Sequence, residues 1–311
     1  MTTASPRRRT ARPIDPRRWL LQRNAYELLQ KLEAAAASSD PEKEVVHRLR
    51  TGTRRSGALL ESLLDRPGTS REFANKQKQA RRLLRQWKKL RRAAGHVRDL
   101  DVHLDLLEKL RKAAAKITAA NMPVLQPQFE SLEAWLKTHR SREAAALQNE
   151  AKKRLERCRE LTAAVLGEAP DPAAALVTPS APARRAVSPA KLALEDFHAV
   201  SAATPHLDPR NLHDFRKSSK QARYVAEAGG NQPDAVAVDK ALKRIQDAIG
   251  DWHDLDALHA EAREALGKNG PELMQLLHDQ AEKKMKLAIE SSERMRRRLL
   301  GERLALRAPR R

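Results

Sequence analysis

Cysteine, aromatic residues and long apolar runs are all scarce in this sequence of 311 residues. The one cysteine, Cys158, excludes an internal disulfide and fits a reducing, cytoplasmic setting. No uncharged apolar run reaches the roughly 18 residues that a membrane-spanning helix needs, and the arginine-rich start of the chain lacks the apolar segment of a signal peptide. We therefore expect a soluble, cytoplasmic protein that does not insert into a membrane.

Aromatic residues make up only 3% of the chain. Val and Ile are also few, whereas Ala, Leu, Arg, Lys and Glu dominate, and this composition favours helices and leaves little from which to build strands. The sequence therefore predicts an all-α fold. So few aromatic residues also argue against binding of single-stranded nucleic acid by base stacking.

Positive charge is in large excess. Lys and Arg number 61 against 40 Asp and Glu, which gives a formal net charge of +21. Such an excess costs self-repulsion, which a polyanionic partner relieves. Nucleic acid, an anionic membrane surface and inorganic polyanions are the candidate partners.

Helical periodicity and the Pro and Gly breaks divide the chain into four predicted regions. They are a disordered basic tail at 1–15, a first helical bundle at 16–166, a Pro/Ala-rich linker at 167–189 and a second helical bundle at 190–307, with four to five helices in each bundle. In the first bundle, Gly95 is expected to end a third helix that begins near Ser70, and a fourth helix is expected at 97–120.

Two short motifs occur twice in the same order. The run VHRLRTGTRR that begins at Val46 returns in degenerate form as LHDFRKSSKQ from Leu212, and GHVRDLD from Gly95 returns as GDWHDLD from Gly250. Two repeated motifs in one order indicate a tandem duplication, and repeated helical units bury their faces against each other as bundles.

Each copy of the first motif places a histidine at the head of a ladder of cations, because residues three, four and seven apart share one face of a helix. The predicted third helix adds another cationic face. The candidate polyanion-binding residues are His47, Arg50, Arg54, Arg55, Lys78, Arg81, Arg82, Arg85, Lys88, Lys89, Arg92, His213, Arg216, Lys217, Lys220 and Arg223.

With these motifs the sequence resembles the CHAD family, the conserved histidine α-helical domain. The likeness lies in His-x-x-Arg-x-x-x-Arg-Arg from His47, in the run from Gly95 to Val102 and in the run from Leu212 to Tyr224, and it covers about residues 16–305. It implies two helical bundles related by pseudo-two-fold symmetry, with basic residues lining the surface between them, that bind inorganic polyphosphate. Gly57 stands where such domains usually carry another Arg, and the basic third helix has only a thin counterpart in the second half. The binding surface is therefore expected to draw more of its cations from the first half of the chain than from the second.

No catalytic residue, cofactor or metal site is predicted. The acidic residues Asp99, Asp101, Asp254 and Asp256 are interpreted as structural, since carboxylates favour the first turn of a helix. His253 with Asp254 is rejected as a metal site because Arg98 holds the corresponding position in the first copy. No phosphate-binding loop and no Cys/His spacing typical of metal sites occurs.

The sequence thus predicts a non-enzymatic protein that binds inorganic polyphosphate in a cationic groove or pore formed by both ladders, with polyphosphate granules as an expected location. A nucleic-acid or nucleoid-associated basic protein is the first alternative. A metal-dependent polyphosphate-processing enzyme is the second, and it would need carboxylates arranged around divalent metal. The oligomeric state is left open.

Overall fold

A computed structural model of the chain describes residues 16–64, 71–117, 121–168, 188–227 and 229–307. These residues form α-helices and one short 3-10 helix and include no β-strand, so the predicted all-α fold is confirmed. The helices are α1 (Pro16–Ala37), α2 (Lys43–Leu64), α3 (Arg71–Ile117), α4 (Met122–Leu166), α5 (Pro189–Ala203), α6 (Leu212–Glu227), α7 (Pro233–Leu266), the 3-10 helix (Gly267–Asn269) and α8 (Pro271–Arg307).

Proline marks the start of four of these helices. Pro16, Pro189, Pro233 and Pro271 are the first residues of α1, α5, α7 and α8. Proline is favoured there because its φ is already helical and its missing N–H would have no partner inside the helix. The prolines explain why the starts of α1, α5 and α8 lie where the sequence predicts them.

The predicted break at Gly95 is wrong, because α3 continues through this residue to Ile117. The buried residues of α3 around the glycine are spaced alternately by four and three residues, which keeps one apolar face in register across it. They are Leu83, Trp87, Leu90, Ala94 and Val97. Packing along this face outweighs the roughly 1 kcal/mol that glycine costs in a helix interior.

The fold divides into two compact units, and each unit contains one segment of the long helix α3 and one segment of the long helix α4. Unit 1 consists of Met1–Asp101 and Lys137–Ser180, and unit 2 of Val102–Leu136 and Ala181–Arg311. The boundaries of these units differ from those of the predicted bundles, because residues 102–136 of the predicted first bundle belong to unit 2. The predicted tail at 1–15 and most of the predicted linker lie outside the described residues, and pseudo-two-fold symmetry and tandem duplication stay predictions.

The core of unit 1 is aliphatic. Leu21 of α1, Leu49 of α2, Leu83 of α3 and Leu147 of α4 are completely buried in it. Each of these residues lies on the apolar stripe of an amphipathic helix, so the cations of α2 and α3 are directed to the opposite side.

Unit 2 has its own core between α5, α6, α7 and α8. The rings of Phe197 and Phe215 meet edge to face there, with their centroids 6.0 Å apart. The α3 and α4 segments of this unit are attached by polar contacts: His103 Nδ1 lies 2.7 Å from Glu261 Oε2, and Gln128 Oε1 accepts the backbone N–H of Leu273 at 2.9 Å. Of the helices in the described residues, none is long and apolar enough to cross a membrane.

Candidate polyanion-binding site

The first ladder lies on the side of α2 that faces away from the core. Val46 and Leu49 are fully buried, whereas His47 and Arg55 are exposed. The Arg50 side chain is 40% exposed, and Arg54 is also half-buried. The alternation of buried and exposed residues is the expected result of an amphipathic helix whose apolar stripe packs on the core.

Within unit 1 the ladder runs antiparallel to α3, and two glycines lie at the contact. A Cβ at Gly57 of α2 would lie 3.7 Å from the Leu84 side chain, and one at Gly95 of α3 would lie 3.6 Å from Arg50 Nε. The Arg50 guanidinium also lies 3.9 Å from the Asp99 carboxylate. The two sequence motifs of the first half therefore meet in space, with the ladder arginine of one beside the glycine of the other.

The cationic face of α3 combines high exposure with a lack of carboxylates. Between Glu72 and Asp99 the sequence has ten Lys and Arg and no Asp or Glu. In the described part of the chain, none of the seven predicted α3 residues forms an ion pair. Six are exposed and Arg82 is half-buried; the seven are Lys78, Arg81, Arg82, Arg85, Lys88, Lys89 and Arg92. We call these seven residues the α3 face.

The cations of the second ladder, on α6, form more hydrogen bonds and ion pairs within their own unit than those of the α3 face. Arg216 Nε donates to the Gln246 carbonyl at 3.1 Å, and a Cβ at Gly250 would lie 3.1 Å from its Nη2. Arg223 is 3.2 Å from the Asp239 carboxylate. Lys217 pairs with a carboxylate on its own helix, and Lys220 is half-buried. Fewer of its charges are thus available to an added anion than on the α3 face.

The histidines that head the ladders are in similar settings. Although His47 is largely exposed, desolvation of the covered part of its ring lowers its pKa, and the charge of Arg98 lowers it further. Burial likewise lowers the pKa of His213, with a further effect of His253. Arg98 and His253 each lie three residues after the glycine beside the ladder arginine. At neutral pH both ladder histidines are therefore neutral when no ligand is bound.

Asp101 has a structural role. It is completely buried, and its Oδ1 accepts a hydrogen bond from Arg140 Nε at 2.7 Å. Arg140 also pairs with Asp40 and donates from Nη2 to the Pro41 carbonyl at 2.9 Å. Among the described residues no group of three or more His, Cys, Asp or Glu is arranged to hold a metal ion.

Sequence reasoning missed the arginines that fix the loops before the ladder helices. Arg140 of α4 does this in unit 1, at Pro41. Arg296 of α8 does it in unit 2, since its Nη1 and Nη2 donate to the carbonyls of Pro205 and Thr204 at 2.9 and 2.8 Å. In the sequence both arginines stand among many exposed cations, so no local pattern marks them.

Comparisons with known proteins identify a family model and a solved structure of similar fold. The model of the CHAD domain matches residues 21–263. The solved structure of PptA from Streptomyces chartreusis is similar, with a TM-score of 0.57, 17% sequence identity and coverage of 92% of this chain and 98% of that chain. No curated protein matches the chain significantly.

Proposed function

The chain belongs to the CHAD domain family, and on this premise we propose that it binds inorganic polyphosphate, with the α3 face and the α2 ladder as the principal contact. Family membership supports binding of polyphosphate in general. The choice of this surface rests on the residues of unit 1 described above.

The α3 face is the observation that carries the proposal. Its residues run from 78 to 92, which is about 21 Å along a helix at 1.5 Å per residue. Each internal unit of polyphosphate carries about one negative charge, so a linear row of cations neutralises successive units and releases their condensed counterions, as on a nucleic-acid backbone. No carboxylate lies within this row in the sequence, so α3 itself supplies no anion that competes with an added polyanion between residues 78 and 92.

Arginine suits the ladder for a geometric reason. Its planar guanidinium can hold two phosphate oxygens at once, and it stays charged at every physiological pH. Arg50 lies beside Gly95 and Arg216 beside Gly250. Arg216 also donates a hydrogen bond to the Gln246 carbonyl, so it is oriented before ligand arrives. Such preorganisation reduces the entropy lost on binding.

Matched variants test the proposed surface. Lys88→Glu with Lys89→Glu reverses two adjacent exposed charges on the α3 face, and Lys152→Glu with Lys153→Glu makes the same change at two exposed positions of α4 in the same unit. Binding of long-chain polyphosphate and of duplex DNA is measured at about 0.15 M salt, where charges further apart than about 8 Å are screened. We expect the α3 variant to lose at least tenfold in polyphosphate affinity and the α4 variant to change little.

Two results would contradict this proposal. Equal losses in the two variants would mean that net charge alone drives binding. Equal or tighter binding of duplex DNA would favour the alternative of a nucleic-acid-binding protein. That both ladders contribute to one groove or pore stays a prediction, and a loss of affinity in Arg216→Glu similar to that in Arg50→Glu would support it.

We further propose that the chain binds polyphosphate without hydrolysing it. Incubation with polyphosphate and Mg²⁺ or Mn²⁺, followed by measurement of released phosphate, is expected to show no turnover. Steady release would support the alternative of a processing enzyme.

The granule location is tested by imaging a fluorescently tagged chain with a polyphosphate stain, and a tag spread evenly through the cytoplasm would contradict it.

A further inference from the structure

The residue that faces the ladder histidine differs between the two units. In unit 1 it is Arg98, whose charge lowers the pKa of His47. In unit 2 it is His253, whose ring centroid lies 4.6 Å from that of His213 at an angle of 49°. An arginine is charged at every physiological pH, whereas a histidine gains or loses its charge between about pH 5 and 8. The first unit therefore has a guanidinium where the second has an imidazole.

The histidine pair has an unused hydrogen-bonding group. In the described part of the structure, His213 Nδ1 is buried and has no hydrogen-bond partner. Both residues are half-buried, so part of each side chain remains exposed to solvent. Buried polar atoms usually have a partner, so this nitrogen retains a hydrogen bond that a further group could make.

The charges around His213 are mostly positive. From its own helix it is faced by Asp214, Arg216 and Lys217, and from α7 by His253. The Asp214 carboxylate is already engaged by Lys217 Nζ at 3.1 Å. Two imidazolium rings this close repel each other, and an added anion would offset that repulsion.

Anion binding and protonation of the pair are therefore coupled. An anion beside the rings favours their charged forms, and by reciprocity acidification strengthens the binding of that anion. Arg216 supplies a fixed cation next to the pair, held by the Gln246 carbonyl. Phosphate oxygens fit these donors, since they accept hydrogen bonds from both imidazolium and guanidinium groups.

We propose that His213 and His253, together with Arg216, form a proton-gated phosphate site in unit 2, which takes up part of a polyphosphate chain only under mildly acidic conditions. This inference rests on the proposed function. Unit 1, with Arg98 at the corresponding position, binds across the whole range near neutrality. Acidification thus adds a second contact for the same ligand.

The test uses the full chain with its α3 face weakened by Lys88→Glu and Lys89→Glu, so that unit 2 contributes more of the binding. It also carries His47→Asn, so that the ladder histidine of unit 1 adds no pH dependence of its own. Affinity for long-chain polyphosphate is measured at pH 7.5 and 5.5. We expect a several-fold rise at pH 5.5, because a histidine pKa raised by one unit on binding increases the affinity by at most a factor of ten. Adding His213→Asn and His253→Asn should abolish this rise, and calorimetry in two buffers should detect proton uptake only with both histidines present.

A further variant and a control ligand complete the design. His253→Arg copies the first unit and should raise the affinity at pH 7.5 and flatten the pH dependence. A sulfated polysaccharide, whose charge is constant in this pH range, should show the same rise, which places the titrating group on the protein. A rise with polyphosphate alone, or one that survives in the Asn variants, would overturn the proposal.

The outcomes separate this inference from the proposed function. If the unmodified chain fails to bind polyphosphate at pH 7.5, the proposed function itself is wrong. If it binds at pH 7.5 and the weakened variant shows no change, or no binding, at pH 5.5, only the proton-gated site is wrong.

Discussion

Arg50 and Arg216 each lie beside a glycine of the neighbouring helix, but the two glycines leave different amounts of room. A Cβ at Gly95 would be in ordinary contact with Arg50, 3.6 Å from its Nε, whereas one at Gly250 would lie 3.1 Å from Arg216 Nη2. Gly95→Ala should therefore raise the free energy of unfolding by about 1 kcal/mol, the usual gain in a helix interior.

Gly250→Ala should gain less, because Arg216 must move and its 3.1 Å hydrogen bond to the Gln246 carbonyl is weakened. Urea unfolding measures both changes, and polyphosphate binding by Gly250→Ala at pH 5.5 should be weaker. An equal stabilisation in the two variants, with unchanged binding, would contradict this assignment of Gly250 as a positioning residue.

Arg140 is expected to be the most sensitive cation of unit 1. Arg140→Ala would leave the carboxylate of Asp101, which is fully buried, without its charged partner. Removal of one member of a buried ion pair typically costs about 3–5 kcal/mol. Arg142→Ala, at an exposed position two residues away, should stay within about 0.5 kcal/mol of the unmodified protein. Urea unfolding measures the change in unfolding free energy of both variants. Similarly small changes would mean that Arg140 does not stabilise the Asp101 carboxylate.

The pH dependence of stability without ligand follows from the two ladder histidines. Burial lowers the pKa of His47 and of His213 in the folded state, so the unfolded chain binds protons more readily. Their contribution to stability is complete above the unfolded pKa of about 6.5 and is lost as the pH falls below it. The unmodified chain should therefore lose more unfolding free energy between pH 7.5 and 5.5 than a His47→Asn, His213→Asn variant. An identical loss in the two proteins would be inconsistent with this linkage.

At the level of helices, α3 shows where a local signal is weaker than packing. A glycine followed by a polar residue predicts a helix end, as at Gly95 and His96. The sequence also contains the contrary signal, since Leu90, Ala94 and Val97 keep the apolar spacing, and all three are completely buried. Whether the helix ends at Gly95 or continues depends on whether the residues before and after the glycine pack against the same core. A local sequence pattern does not specify this.

Salt dependence is the expected signature of the α3 face. If all seven of its cations neutralise phosphates, the logarithm of the binding constant should fall with the logarithm of salt concentration at a slope of about −5, using about 0.7 per charge for a single strand. Lys88→Gln with Lys89→Gln should make this slope shallower by about 1.4. The matched exchange of Lys152 and Lys153 for Gln should leave it unchanged. Equal slopes in all three proteins would exclude the α3 face as the contact.

For the whole molecule, the net charge of +21 couples stability to salt and ligand. Self-repulsion weakens the folded state, so added NaCl should raise the thermal midpoint of the free protein by screening. Polyphosphate at low salt should raise the midpoint more, because it binds the folded chain, and this increment should shrink as salt increases. Differential scanning calorimetry over a salt series measures both. A thermal midpoint that falls with added salt in the free protein would show that charge repulsion does not limit its thermal stability.

By itself the sequence determined the fold class, the starts of the helices at Pro16, Pro189 and Pro271, and which cations share a helix face. These features depend on composition and on spacing within one helix, which are local. Only the tertiary structure decided that Arg50 lies beside Gly95, that Arg216 and Arg223 are bound within unit 2, and that Arg140 and Arg296 hold loops. Such pairings join residues far apart in the chain, and a buried arginine differs from an exposed one only through the neighbours that folding brings to it.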